Sequence, residues 1–256
     1  MNHLVIWNDL RLFLGQNPRS TKEHSHPVIQ FVVALEGTFQ TKIPDQDVWV
    51  PKRGLLIRPN HQHVCDATDV PILSLDIEPD SALGEWILTT ILKEHHTLDY
   101  PSPEIGALGL SLLPEWVARE NWEAVYQHLQ EVFRMEKPNP TSTRDERISQ
   151  VVEYIHEHIE QALSTDQLTR VSFLSESRLL HLFKEEMGLP IRNYILWYRL
   201  KMAMGQFMEG SSLTAAAHRA GFADQAHFTR TCVRMLGVPP SVILKNSKFV
   251  QVSFSA

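Results

Sequence analysis

The run Lys137-Pro-Asn-Pro-Thr-Ser-Thr143 contains two prolines and no apolar residue. Proline withholds an amide donor and clashes with the preceding helical turn, and nothing in the run gains by burial, so it can neither continue a helix nor join a core. It reads as a linker. The 256 residues therefore divide into a domain over 1–136 and a second over 144–256, each long enough to bury its own core.

The two sides of the linker have different periodicities. Residues 26–78 alternate short β-branched and aromatic runs (VIQFVVAL, TFQTKI, VWV, LLIRP, PILSLDI) with turn signals at Gly37, Pro44 to Asp47 and Pro51 to Gly54. That is the pattern of a sandwich or small barrel. From about Ser81 the spacing changes to three and four in ALGEWILTTILKE and NWEAVYQHLQEVFRM, which predicts helices. The stripe Leu83, Trp86, Ile87 and Ile91 would either pack on its own domain's sheet or supply a dimer surface. Beyond the linker, Thr143 with Glu146 and Ser164 with Gln167 have capping-box spacing ahead of apolar-periodic stretches, and the second domain reads as all helical. The fold class expected is α+β in two domains.

Charge follows the same division. Residues 1–161 hold 13 Lys and Arg against 24 Asp and Glu, a net of −11, whereas residues 162–256 hold 11 against 6, a net of +5. An acidic part keeps such a chain soluble while a basic part contacts phosphate. The two cysteines, Cys65 and Cys232, have neither disulfide nor thiolate-zinc spacing. Asn8, Asp9 and Arg11 break any export signal, and no stretch approaches the roughly 18 apolar residues of a membrane span. A cytoplasmic protein with no membrane contact is expected.

Two helix-turn-helix units are expected within the second domain, at about 165–186 and 213–236. At 100° per residue, Leu179, Leu182, Phe183 and Met187 share the inner face of a helix beginning near Ser175, and Ser177, His181 and Lys184 point away. The arrangement recurs after Ser212 and Gly221-Phe222, with Phe228, Cys232 and Met235 inward and Ala226, Arg230, Val233 and Arg234 on or near the outer face. NYILWYRLKMAMGQFM is apolar over enough of its circumference to be a buried connecting helix.

These residues resemble the AraC/XylS family of bacterial transcription regulators over about 100 residues. The likeness rests on Leu182-Phe183-Lys184-Glu185, Gly188-Leu189-Pro190, Tyr194, Arg199-Leu200, Ala203, Gly221-Phe222-Ala223-Asp224-Gln225, Phe228-Thr229-Arg230 and Gly237-Val238-Pro239-Pro240. It implies two recognition helices reading successive major-groove segments on one side of the duplex. Ser177, His181 and Lys184 would serve the first, and Gln225, Ala226, His227, Arg230 and Arg234 the second. Arg230 suits bidentate guanine readout, whereas Lys184 suits phosphate. Phe173 in the first turn, Thr169 and Cys232 depart from the family pattern.

His24-x-His26, Gln30, Pro51-x-x-Gly54, Pro59, His61 and His63 resemble the cupin-like domain that often precedes this DNA-binding unit. In cupin enzymes a His-x-His, a glutamate and a later histidine surround one metal. Gln30 stands at the glutamate position here, and an amide is the weaker ligand. By strand alternation His24, His26, Gln30 and Val32 would share one face, with His61 and His63 on another. Three readings stay open: an effector pocket lined by His24, His26, Gln30, His61 and His63; a divalent metal on His24, His26 and His63; or ordinary hydrogen-bonded histidines. Phe31 and Trp49 are either pocket walls or core.

The expected function is sequence-specific DNA-binding transcriptional regulation, not enzymatic turnover, with no obligatory cofactor. The expected partners are double-stranded promoter DNA, a small effector, a second copy of the chain and, as a candidate, RNA polymerase. The rivals are a regulator whose N-terminal domain only dimerises, and a cupin-type metalloenzyme.

Overall fold

The computed structural model describes residues 2–7, 9–16, 20–43, 46–102, 115, 119–133, 145–244 and 247–251. The linker read at 137–143 lies outside them. The chain forms two compact units, one of residues 1–23, 28–140 and 241–256, the other of 24–27 and 141–240.

The first unit contains two sheets. Strands β1 (Asn2–Ile6), β2 (Leu10–Gln16), β3 (Ile29–Ala34), β6 (Gly54–Ile57), β8 (Pro71–Ile77), β9 (Thr97–Tyr100) and β10 (Ser247–Gln251) make a seven-stranded sheet in the order β10-β1-β2-β8-β3-β6-β9. Strands β4 (Phe39–Ile43), β5 (Gln46–Lys52) and β7 (Val64–Asp66) make a three-stranded sheet in the order β5-β4-β7. β5 runs through Pro51 instead of turning there, which its edge position permits because an edge strand has a row of amides with no ladder partner.

Alternation along β3 divides the core in two. Phe31 and Val33 pack with Leu56, Leu73 and Leu75 against the helical side, while Val32 and Ala34 pack with Phe39, Leu55, Ile57 and Ala67 between the sheets. The helical cover is α1 (Ala82–Trp86), a π-helical turn over Ile87–Leu92, and α2 (Trp122–Phe133). Ser81 caps α1 by accepting from the Gly84 amide. Ile87 and Ile91 are buried in this core, with the partly buried Leu83 and Trp86 packed against it, so the stripe over 83–91 packs on its own domain. Phe31 is likewise core, edge-on to Tyr100, and Trp49 is exposed.

The second unit is helical, in α3 (Glu146–Glu157), α4 (Thr165–Ser172), α5 (Glu176–Met187), α6 (Ile191–Met208), α7 (Leu213–Arg219) and α8 (Gln225–Leu236); the short α9 (Pro240–Leu244) follows, all but its first residue belonging to the first unit. Ser164 and Gln167 form the expected capping box on α4. The N-cap of α3 is Asp145, whose carboxylate accepts from the Arg147 amide; Thr143 lies outside the described residues. The Arg147 guanidinium beside it holds the Asp145 carboxyl at about 2.

β10 corrects the reading of an all-helical second domain running to 256. It pairs in parallel with β1, Asn2 opposite Ser247 through Ile6 opposite Gln251, and so belongs to the first unit's sheet. The reading also missed β1 and β2, which pair with each other and join the sheet through β8.

Candidate nucleic-acid interface

Each helix-turn-helix unit is a short helix, a turn and a twelve-residue helix, α4 with α5 and α7 with α8. α5 is started by Ser175 and stopped by Gly188 in the left-handed conformation at φ 71°; α8 is started by Asp224 and stopped by Gly237 at φ 72°. Leu179, Leu182, Phe183 and Met187 bury one face of α5 against α3, α4 and the start of α6. Phe228, Thr231, Cys232 and Met235 do the same for α8. The opposite faces hold the residues singled out from the sequence.

Ser177, His181 and Lys184 are all exposed on α5, and Gln225, Ala226, Arg230 and Arg234 on α8. His181 has its Nε2 4.0 Å from the Glu185 carboxylate, and both side chains are largely solvated, so the pair contributes little. Gln225 is partly committed, because its side-chain oxygen accepts from the Thr214 hydroxyl at 2.7 Å. His227 is half-buried, with its ring edge-on to Phe222 at 5.2 Å, and so is the least available of the set. Arg230 and Arg234 make no ion pair with any described residue, in contrast to Arg170, which is held by Asp166 at 2.6 Å. Two unneutralised guanidinium groups on one exposed helix face can meet phosphate or the guanine edge.

The two turns differ. In the second, Gly221 has φ 77°, and a β-carbon there would lie 2.6 Å from the Ile159 carbonyl oxygen, so only glycine fits. In the first, the left-handed position is Phe173, at φ 54°, with its ring 90% exposed.

Arg199 on α6 was legible as a motif position but not in its role. It donates from Nε to the Ile159 carbonyl at 3.2 Å and from its terminal nitrogen to the Gln161 carbonyl at 2.7 Å. These bonds tie the segment after α3 to the helix that connects the two reading heads, and partial burial lowers the guanidinium's pKa from its usual value. Trp197, Leu200, Ala203 and Met204 bury the same helix, which fixes it as a spacer.

Of the histidines near the first sheet, the structure brings His24, His26 and His63 together. They are 5%, 2% and 0% exposed, and one ring nitrogen from each lies within 4.8 Å of the other two. Gln30 donates its amide to the Ser74 hydroxyl at 3.4 Å. His61 stacks on His96, ring centres 5.2 Å apart and planes 7° from parallel.

The fold and the paired recognition helices define a DNA-binding transcriptional regulator. Residues 168–246 match the family described as a helix-turn-helix domain. Over 229 residues, 87% of this chain and 92% of the relative, the sequence is 24% identical to the probable transcriptional regulator LumQ of Photobacterium leiognathi. It is 19% identical over 85% of its length to YdeC of Bacillus subtilis, a helix-turn-helix transcriptional regulator. The crystal structure of ToxT from Vibrio cholerae shares the two-domain fold, with a TM-score of 0.58 at 12% identity over 93% of this chain and 98% of that one. The chain is a transcriptional regulator that carries an AraC-type helix-turn-helix domain behind a sheet-rich N-terminal domain. None of its described helices is long and apolar enough to cross a membrane.

Proposed function

We propose that this regulator acts in the cytoplasm without enzymatic turnover, reads promoter DNA with the outer faces of α5 and α8, and responds to a small effector in its N-terminal domain. The observation that carries the DNA reading is the repeated division of two helices of equal length. Each buries an apolar face and presents a polar one, and the second presents Arg230 and Arg234 with no neutralising carboxylate. Ser177, His181, Lys184, Gln225 and Ala226 complete the reading surface, and His227 contributes less because it is half-buried. The effector reading draws on the shared fold of ToxT, whose structure has been determined with an unsaturated fatty acid bound. Effector binding shifts regulation only if the two arrangements of the protein bind the effector with different affinity. A homodimer on DNA and contact with RNA polymerase complete the proposal.

The test is DNA binding by Arg230→Ala and His181→Ala at several salt concentrations, on a selected site and on scrambled DNA. Both side chains are exposed, so helicity should be unchanged. A bidentate base contact by Arg230 is worth roughly 1–3 kcal/mol at the selected site, with preference relaxed at one position. A phosphate contact instead weakens all sequences alike and reduces the salt slope by about one. Parental affinity in both variants on every sequence at every salt would show that these faces do not meet DNA.

A further inference from the structure

We propose that Leu180 on α5 is a further specificity-determining residue of the first reading head, packing its side chain against the 5-methyl group of a thymine in the major groove. The inference rests on the assignment of the outer face of α5 to DNA, and it adds the class of base that this face selects.

A single exposed leucine is ordinary on a protein surface, because polar residues are too few to cover one. The place of this one sets it apart. Leu180 is 39% exposed, and it lies three residues after Ser177, four before Lys184 and next to His181. Residues three and four apart are neighbours on a helix, so Leu180 stands in the row that runs from Ser177 to Lys184. The core behind α5 is filled by Leu179, Leu182, Phe183 and Met187. Successive residues are 100° apart, so the turn that buries Leu179 carries Leu180 to the rim of the outer face. Its apolar surface is left for whatever approaches that face.

The charge of the two heads supplies an independent argument. α5 holds the exposed carboxylates Glu176, Glu185 and Glu186 against Arg178 and Lys184, a net of −1 with histidine neutral. α8 holds Arg230 and Arg234 and no acidic residue, a net of +2. Attraction to phosphate scales with the cations presented, so the first head gains little from it. That head depends instead on contacts that carry no charge: hydrogen bonds from Ser177 and His181, and apolar contact through Leu180. Among the described residues of the second unit, the exposed large hydrophobics are Phe173 and Leu180, both in the first head and neither in the second.

Base edges offer one apolar group in the major groove, the 5-methyl of thymine, beside hydrogen-bond donors and acceptors. An aliphatic side chain laid on a donor or acceptor strips it of water and returns no hydrogen bond, which costs affinity. Laid on the thymine methyl, it removes apolar surface from water on both sides of the contact. Leu180 thus selects thymine by attraction to it and by the penalty against other bases.

The experiment uses the full-length protein and a duplex selected in vitro for tight binding to it. Each thymine of that duplex is replaced in turn by deoxyuridine, which removes the 5-methyl and leaves every hydrogen-bonding atom in place. One position should lose roughly fourfold in affinity, the worth of one buried methyl group. Leu180→Ala should bind thymine and deoxyuridine alike at that position, and Leu180→Met, which keeps the aliphatic bulk, should retain the preference. The salt slope of both variants should be that of the parent, since no charge changes. If no deoxyuridine substitution weakens the parent, a readout that needs no variant, or if folded Leu180→Ala keeps every loss undiminished, the proposal is overturned. His181→Ala separates this failure from that of the underlying assignment. Weakened binding by His181→Ala with no methyl dependence through Leu180 leaves α5 on the DNA and removes only the role of Leu180, whereas parental binding by both alanine variants takes α5 off the DNA and removes both.

Discussion

At the scale of single residues, Phe173 breaks two local preferences together. Its backbone is left-handed, which costs a side chain with a β-carbon roughly 1–2 kcal/mol, and its ring is in water and gains nothing by burial. Phe173→Gly relieves the strain and gives back part of the gain as unfolded-chain entropy, so a net stabilisation of roughly 0.5–1 kcal/mol is expected in urea unfolding. A loss of stability instead would mean that the exposed ring is held in the folded protein. The sequence shows Phe173 as unusual at its place but cannot show why, since φ depends on where α4 ends and α5 begins. The exposed positions on α5 and α8 were legible, because 100° per residue separates Arg230 from Phe228 and Cys232 without reference to anything distant. The half-buried state of His227 was not, because it depends on the ring of Phe222 five residues earlier in a turn.

At the scale of elements, the helices of the second unit were readable almost to the residue, and the physical reason is locality. Ser164 with Gln167, Ser175, Ser212 and Asp224 each satisfy amides within three residues of themselves. The strands were readable where β-branched and aromatic runs lie between turn signals, as in β3, β4, β6 and β8. β1 and β9 are short, β2 (LRLFLGQ) carries no β-branched residue, and β10 takes its partner from the opposite end of the described chain, so no local pattern announces it. The structure alters one experiment in consequence. A fragment ending at 256 would carry β10 without β1, whereas residues 145–244 hold every helix of the reading heads. That fragment should fold with the helicity of the intact domain and bind DNA with affinity falling steeply as salt rises. Its affinity should be below that of the full chain, because a single attachment forgoes the gain from a second. A folded 145–244 fragment with no salt-sensitive binding to promoter DNA would remove the assignment of α5 and α8 as reading heads.

At the scale of the whole molecule, the chain starts in the sheet, passes through the helical unit and returns to the sheet at β10. Lys248 on that strand donates to both carboxylate oxygens of Glu120 at 2.7 Å, and this hydrogen bonding, with the ammonium charge, lowers the Glu120 pKa from its ordinary value. Both groups are about half exposed, so the strand pairing contributes more than the ion pair. Deleting residues 247–256 should leave DNA binding by the second unit intact. It should also remove hydrogen-exchange protection from alternate amides of β1, those that face β10, while the amides facing β2 stay protected. Unchanged protection throughout β1 would mean that β10 does not pair there in solution.

The return of β10 also sets a timetable. Asn2 and its partner Ser247 are separated by roughly 245 residues, which a ribosome working at about 5–20 residues per second needs on the order of 10–50 s to make. Throughout that interval β1 is an open edge, and the helical unit is synthesised in full before its neighbour can be closed. An open strand edge on a nascent chain can pair with the same edge on the next one along the message. The hazard of this architecture therefore falls during synthesis, and slow translation or a premature stop after residue 244 should favour sheet-mediated association of otherwise well-folded reading heads.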